Sequence, residues 1–278
     1  MPSFSVEKLD IGTARIVAPL IRGERWFLLR TDSHHDSKYF AEGLSKQHLD
    51  TIKEKDGIII DNGDLFDAMQ RRDDPRRSEG DTHEAELGQS NPLGKMVRRV
   101  GLDLLPYRDC WAILGHGNHE TAFAKFTGID LTQELASRLK TPIAVGYETY
   151  IEIVLVHGKK RFPIKLYRHH GAGGNSPVTK GVIGTARRSY VDADIIFTGH
   201  IHQGWVMPEV RDEFRGGKRY RRLIWHVQGP GYKDPRSFKD GGFEIEKGFA
   251  PAPIGAHFVR FSIGDGGRIA TEISCSFQ

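Results

Sequence analysis

Residues 110–120 read CWAILGHGNHE. A short apolar run of strand composition stops at Gly115, and the chain at once presents two glycines, two histidines, an asparagine and a glutamate. Glycine beside a polar cluster at a strand end allows close backbone approach to whatever the polar groups hold. The same pattern recurs upstream: RWFLLRT (25–31) reads as a strand running into DSHHD, and GIIID (57–61) as a buried strand running into NGDLFD. Between them FAEGLSKQHLDTIKEK (40–55) has the apolar spacing of an amphipathic helix, so the order is strand, helix, strand. That order predicts parallel neighbours in a sheet covered by helices.

Downstream, KMVRRVGLDLL (95–105) and LTQELASRLK (131–140) read as helices, and the texture then turns to β. YETYIEIVLVHGKKRFPIKLYRHH (147–170) predicts a hairpin closed at HGKK, and ADIIFTG (193–199) a further strand. WVMPEV and RYRRLIWHVQG flank the Gly216–Gly217 turn, and AHFVRFSI and RIATEISCSF flank GDGG. The expected fold class is therefore α/β, two packed sheets with helices outside. The 278 residues are read as one domain, with a motif-bearing core at about 25–205, an insertion or cap at about 68–93 and a β-rich part at about 205–278. No internal repeat is visible.

Neither the charged N-terminus nor any other stretch has the composition of a signal peptide or a membrane span, so a soluble, cytoplasmic protein without a membrane partner is expected. Cys110 and Cys275 are the only cysteines, read as inert core thiols of a reducing compartment. Net charge is +4, and basic residues clump at Arg71, Arg72, Arg76 and Arg77, at Lys159, Lys160 and Arg161, and from Arg215 to Arg222. Such clumps suit an anionic partner, nucleic acid or nucleotide among them.

Five predicted strand ends carry the same few residue types. They are Asp32 and His34; Asp64 and Asp67; Asn118, His119 and Glu120; His169 and His170; and His200 and His202. In open α/β sheets ligands bind beyond the carboxyl ends of strands, so these groups are expected to converge. Imidazole, carboxylate and amide donors without thiolate suit Zn, Fe or Mn. Seven ligands exceed what one tetrahedral ion uses, and two ions sharing a carboxylate are the natural partition. His35, Asp36, His116 and Glu120 are read as residues that orient the ligands. The glycine-rich GAGGNSPVTKG (171–181) is read as a loop over the site.

D-x-H, G-D-x-x-D, G-N-H-E, H and G-H-x-H in this order resemble the calcineurin-like metallophosphoesterases, from Asp32 to His202. The resemblance implies a four-layer α/β/β/α sandwich of two mixed sheets with a dinuclear site at the sheet edge. It puts Asp32, His34, Asp64 and His202 on one ion, and Asp64, Asn118, His200 and one of His169 and His170 on the other. Side chains alternate along a strand, so only one histidine of that pair can point at the metal, and His169 is preferred. His119 is implied as the acid that protonates the leaving group, held by Asp67. The implied activity is hydrolysis of a phosphate ester by a metal-bridging hydroxide, of phosphodiesterase or nuclease type. The alternatives are a phosphomonoesterase or protein phosphatase, and a metal-binding interaction module without turnover. All ligand positions and His119 are present, which favours the enzyme.

Overall fold

The chain opens with a hairpin that the sequence reading passed over, β1 (Ser5–Asp10) and β2 (Thr13–Pro19), turned at Gly12. Its signal was alternation: Ala14, Ile16 and Ala18 are buried and their neighbours are not. β3 (Glu24–Arg30), α1 (Glu42–Glu54) and β4 (Ile58–Asp61) come next, as expected. After α2 (Pro92–Leu104) and a 3-10 turn (Leu105–Cys110) come β5 (Trp111–Gly115), α3 (Asn118–Thr127), α4 (Leu131–Leu139) and β6 (Ile143–Val145). The second half is β7 (Glu148–His157), β8 (Lys160–His169), the single turn α5 (Ile183–Ala186), β9 (Ile195–Thr198), β10 (Trp205–Arg215), β11 (Lys218–Gln228), β12 (Gly255–Ile263) and β13 (Ile269–Phe277). This computed structural model describes residues 2–68, 92–174, 176, 178–237, 248 and 250–278. The expected cap and the arginines at 71–77 lie outside them.

Two mixed sheets result, a seven-stranded one in the order β1-β2-β7-β8-β9-β11-β10 and a six-stranded one in the order β13-β12-β3-β4-β5-β6. The β-rich C-terminal part is woven into both, β10 and β11 into the first and β12 and β13 into the second. Period-two alternation decides which residues meet. Phe27, Leu29, Ile58 and Ile60 turn inward onto Ile153, Leu155, Ile164, Leu166 and Phe197 of the opposite sheet. Leu28, Ile59 and Trp111 turn outward under Leu49, Ile52, Met96, Val100 and Leu135 of the helices. An irregularity in the register opposite Ile59 and Ile60 lets Ala112 and Ile113 both face inward. The outer face of the seven-stranded sheet carries a smaller cluster, Tyr167, Val191, Ala193, Ile196 and Ile224. The architecture is two mixed sheets flanked by helices, as expected. Both cysteines are free, but only Cys110 is in the core; Cys275 is exposed on β13, which corrects its reading as a core thiol. No helix among the described residues is long and apolar enough to cross a membrane.

Candidate metal centre

β3, β4 and β5 from one sheet and β8 and β9 from the other all end on the same side, and the five predicted motifs lie just past those ends. Backbone hydrogen bonds carry the pairing on past the strands: Asp32 N–H donates to the Gly63 carbonyl, His34 N–H to the Asp64 carbonyl and Gly199 N–H to the His170 carbonyl. Asp32, His34, Asp64, His200 and His202 all have positive φ, between 46° and 74°. Left-handed backbone costs a non-glycine residue on the order of 1 kcal/mol or more and persists where the surroundings over-determine it, which happens at functional sites. Glycines complete the cradle. A Cβ on Gly117 would fall on the Asp64 carboxylate, and one on Gly199 on Thr31 and Asp32.

The ligand atoms form three groups, each with its atoms within 4.8 Å of one another: Asp32, His34 and His202; Asp64, His170 and His200; and His34, Asp67 and His119. The first two share no residue. Asp32 gives Oδ2 to the Thr31 hydroxyl (2.5 Å) and the His200 N–H (2.9 Å). Its Oδ1 is buried without a hydrogen-bond partner, 3.7 Å from His202 Nε2 and 3.9 Å from His170 Nε2. The His34 ring is likewise buried with both nitrogens outside hydrogen-bonding geometry, though Nδ1 is 2.7 Å from Asp67 Oδ1.

The tautomers are set by the carbonyls. His170 Nδ1 donates to the Asn62 carbonyl (2.9 Å), so the lone pair of neutral His170 is on Nε2, 3.1 Å from both Asp64 Oδ2 and Asn118 Oδ1. His200 Nε2 donates to the Gly173 carbonyl (3.1 Å) and turns Nδ1 to Asn118 Oδ1 at 2.7 Å. Two imidazoles, a carboxylate and the Asn118 amide thus meet at one point, an arrangement that a proton or a cation makes favourable. Donors placed about 2.0–2.2 Å from a common ion suit this set, and it contains no sulfur. The residues present fit a borderline-hard ion at each of the two non-overlapping groups.

Charge obeys the same logic. Burial works against a charged His170, but Asp64 and Asp32 overcome it and lift its pKa to about 9. Burial also opposes ionisation of Asp64 and Asp67, yet both stay below the usual carboxylate range, Asp64 through His170 and His119 and Asp67 through Lys233 and His34. Burial pushes His202 down to about 4, with His34 and Lys233 acting in the same direction and Asp32 against them.

The preference for His169 is corrected. Its Nδ1 accepts the Gly171 N–H (3.0 Å), and its ring lies against Tyr147 and Tyr167 on the far side of β8. Ile164 and Leu166 face the inter-sheet core, and His170 has their parity, so the apolar alternation before the pair held the answer. His119 stands at the first turn of α3; its N–H donates to Asp64 Oδ1 (2.9 Å) and its Nδ1 to the Asp67 backbone carbonyl (2.6 Å). The Asp67 carboxylate is 3.6 Å from His119 and closer to His34. The backbone of Asp67, more than its side chain, therefore holds His119.

Of the orienting residues, Glu120 is the most connected. It is buried and accepts the N–H groups of Asp64, Phe66 and Gly117, tying the second motif to the third. Asp36 accepts from Asp67 and Ala68. His116 pairs with Asp130 at the edge of the site, while His35 lies under α2 with Arg99 donating to its carbonyl. Sequence reading missed Arg168, buried and donating to Asn62 Oδ1 and to the Gly146 and His116 carbonyls. It also missed the segment after β11. There Tyr232 N–H bonds the Asp32 carbonyl, Gly231 packs on Asp32, and Lys233 Nζ comes 3.5 Å from Asp67 Oδ1.

No family model matches the chain, and no curated protein does. Among solved structures the chain is similar to a conserved protein of Streptococcus pneumoniae TIGR4 described as a predicted phosphoesterase, at 12% identity over 90% of this chain and 98% of that one, TM-score 0.34. It is also similar to Chaetomium thermophilum Vps29 (8% identity, 90% and 94% covered, TM-score 0.36) and to GAP50 of Plasmodium (11%, 90% and 84%, TM-score 0.43). In motif order and in its two mixed sheets flanked by helices, the chain resembles the calcineurin-like metallophosphoesterases.

Proposed function

We propose that the chain is a dinuclear metal-dependent phosphoesterase. The observation that carries this reading is the pair of ligand groups without a common residue, one of which gathers two imidazoles, a carboxylate and an amide around a single point. Asp32, His34 and His202 would hold one ion and His170, His200 and Asn118 the other, with Asp64 offered to both. Such ions, when bound, neutralise phosphoryl oxygens and lower the pKa of water. His119 supplies the proton. With Nδ1–H committed to the Asp67 carbonyl, Nε2 is the ring nitrogen turned toward the site, 3.8 Å from Asp64 Oδ2, and is the atom from which a general acid would deliver its proton. As a water oxygen bonds to phosphorus and the ester P–O bond breaks, the His119 proton would go to the departing oxygen, and the proton the water gives up leaves with the phosphate product.

The two basic clumps among the described residues lend this site no polymer track. Lys159, Lys160 and Arg161 lie at the turn that starts β8, nine residues before His169, and a strand of that length spans roughly 30 Å. On β11 the second cluster, Lys218 to Arg222, stands ten to six residues before the strand's end at Gln228, roughly 20 Å or more along the strand. On the described residues, a small phosphate ester, mono- or diester, is the better substrate reading than nucleic acid.

The test is hydrolysis of 4-nitrophenyl phosphate and of bis(4-nitrophenyl) phosphate by Mn- or Zn-reconstituted protein, repeated with His119→Ala and with esters of poorer leaving groups. His119→Ala is expected to keep its metal and lose about 10²–10⁴-fold in turnover, the scale of positioned acid catalysis, more for an alkoxide leaving group than for nitrophenolate. Filled metal sites with no hydrolysis of any ester would mean the non-catalytic reading is correct.

A further inference from the structure

Two basic clumps stand apart from the metal centre, and the topology brings them to one end of the molecule. Leu166 of β8 and Trp225 of β11 both pair with Ile195 of β9. Lys160 lies six residues before Leu166 and Lys218 seven before Trp225, so the turns ahead of them reach the same level to within one residue. At Ile195 the two strands are two spacings apart, roughly 10 Å. Lys159, Lys160 and Arg161 are exposed at one turn, and Arg215, Lys218, Arg219 and Arg221 at the other. The metal ligands lie past the opposite ends of β8 and β9.

β9 pairs with β11 only from Trp225 to Gln228, so ahead of Trp225 the β10–β11 hairpin continues as a two-stranded ribbon. Its two faces differ. One is spent on ion pairs, Arg222 with Asp192, Asp194 and Glu213, and Glu209 with Arg211 and His226. The other sets Val210 opposite Leu223, Asp212 opposite Arg221 and Phe214 opposite Arg219. On that face Val210 is 62%, Phe214 82% and Leu223 46% exposed. Apolar side chains grouped in water on one face mark an interaction site.

We infer that this end of the molecule docks on an anionic lipid surface, with the exposed ribbon face lying among the headgroups. Cations and carbon share that face. At a membrane the carbon enters the acyl boundary, while arginine stems lie along it and their guanidinium groups stay at the phosphates. A nucleic-acid duplex presents phosphate to the cations but no apolar surface to Val210, Phe214 and Leu223. A second copy of this chain would set arginine against arginine. Such docking departs from the expectation of no membrane partner, yet it needs no spanning segment. β8 runs from Lys160 to His169, and a strand of that length spans roughly 30 Å. The metal centre would therefore face away from the bilayer, toward soluble substrates, and the inference holds whatever reaction the centre performs.

Flotation of the whole metal-reconstituted chain with vesicles of phosphatidylcholine, alone or mixed with phosphatidylserine, tests this. The chain should float with the anionic vesicles only, and less as salt rises. Arg219→Glu with Arg221→Glu should weaken partition about tenfold or more, since each basic residue near an anionic surface contributes on the order of fivefold. Phe214→Ser keeps every charge and should weaken it about tenfold through lost apolar burial. Lys159→Glu with Lys160→Glu repeats the charge test on the other turn, so no single variant has to fold. All three should keep the metal content and thermal midpoint of wild type. Wild type that ignores anionic vesicles overturns the inference. So does partition that the charge variants remove and Phe214→Ser leaves unmoved, because charge alone would then account for it. Binding of a duplex oligonucleotide or of polyglutamate that the arginine variants abolish, with vesicles unbound at the same salt, would assign the face to another partner.

Discussion

At the scale of single residues, His170 is where protonation and metal binding compete. Its pKa rises from 6.5 to about 9 because Asp64 and Asp32 outweigh its burial. In metal-stripped protein this raised value means that the imidazolium stabilises the fold. That contribution is fully present below the unfolded-state pKa of 6.5 and is lost as pH climbs through about 9. The thermal midpoint of stripped protein should therefore fall between those values, and metal binding should release a proton and tighten over the same range. A stripped His170→Gln variant that shows the same fall would place the proton elsewhere. That the five motifs would converge was legible because each follows a strand and carries the same few residue types. Which of the two adjacent histidines served was a question of strand parity, which only Ile164 and Leu166, already committed to the core, decided.

At the scale of elements, what builds the centre is the way strands stop. Five site residues in left-handed backbone and glycines that admit a neighbour's carboxylate are features of turns, and turns do not reveal their dihedrals in a sequence without glycine or proline to fix them. Gly117→Ala should accordingly lose metal although it removes no ligand, since the new methyl would displace Asp64. Gly43→Ala, on the open face of α1, is the counterpart: nothing lies within 4 Å of its Cβ, and a gain of about 0.5–1 kcal/mol is expected from helix propensity. Melting curves and metal content of both variants check this. Equal metal content in the two would show that the close approach at Gly117 is not needed. The long strands and α1 were legible from periodicity. The hairpin β1–β2 had the same alternation, but no chemistry drew attention to it. α3 was hidden because its first turn is the motif itself.

At the scale of the whole molecule, two sheets each deliver part of the centre. The six-stranded sheet brings Asp32, His34, Asp64 and Asn118, and the seven-stranded sheet brings His170, His200 and His202. The sandwich class was readable from strand and helix order, whereas the destinations of the last strands were not, because alternation marks a strand without naming its partner. β12 returns to pair with β3, His257 opposite Leu29, and the segment before it brings Lys233 to the site. The central claim is that this junction holds two ions. Elemental analysis of protein reconstituted with excess Mn or Zn, then freed of unbound metal, measures it directly. Two ions per chain are expected for wild type and for His169→Ala, and one for His170→Ala. Saturation of wild type at one ion, or a loss with His169→Ala that His170→Ala does not show, would contradict the dinuclear centre as assigned.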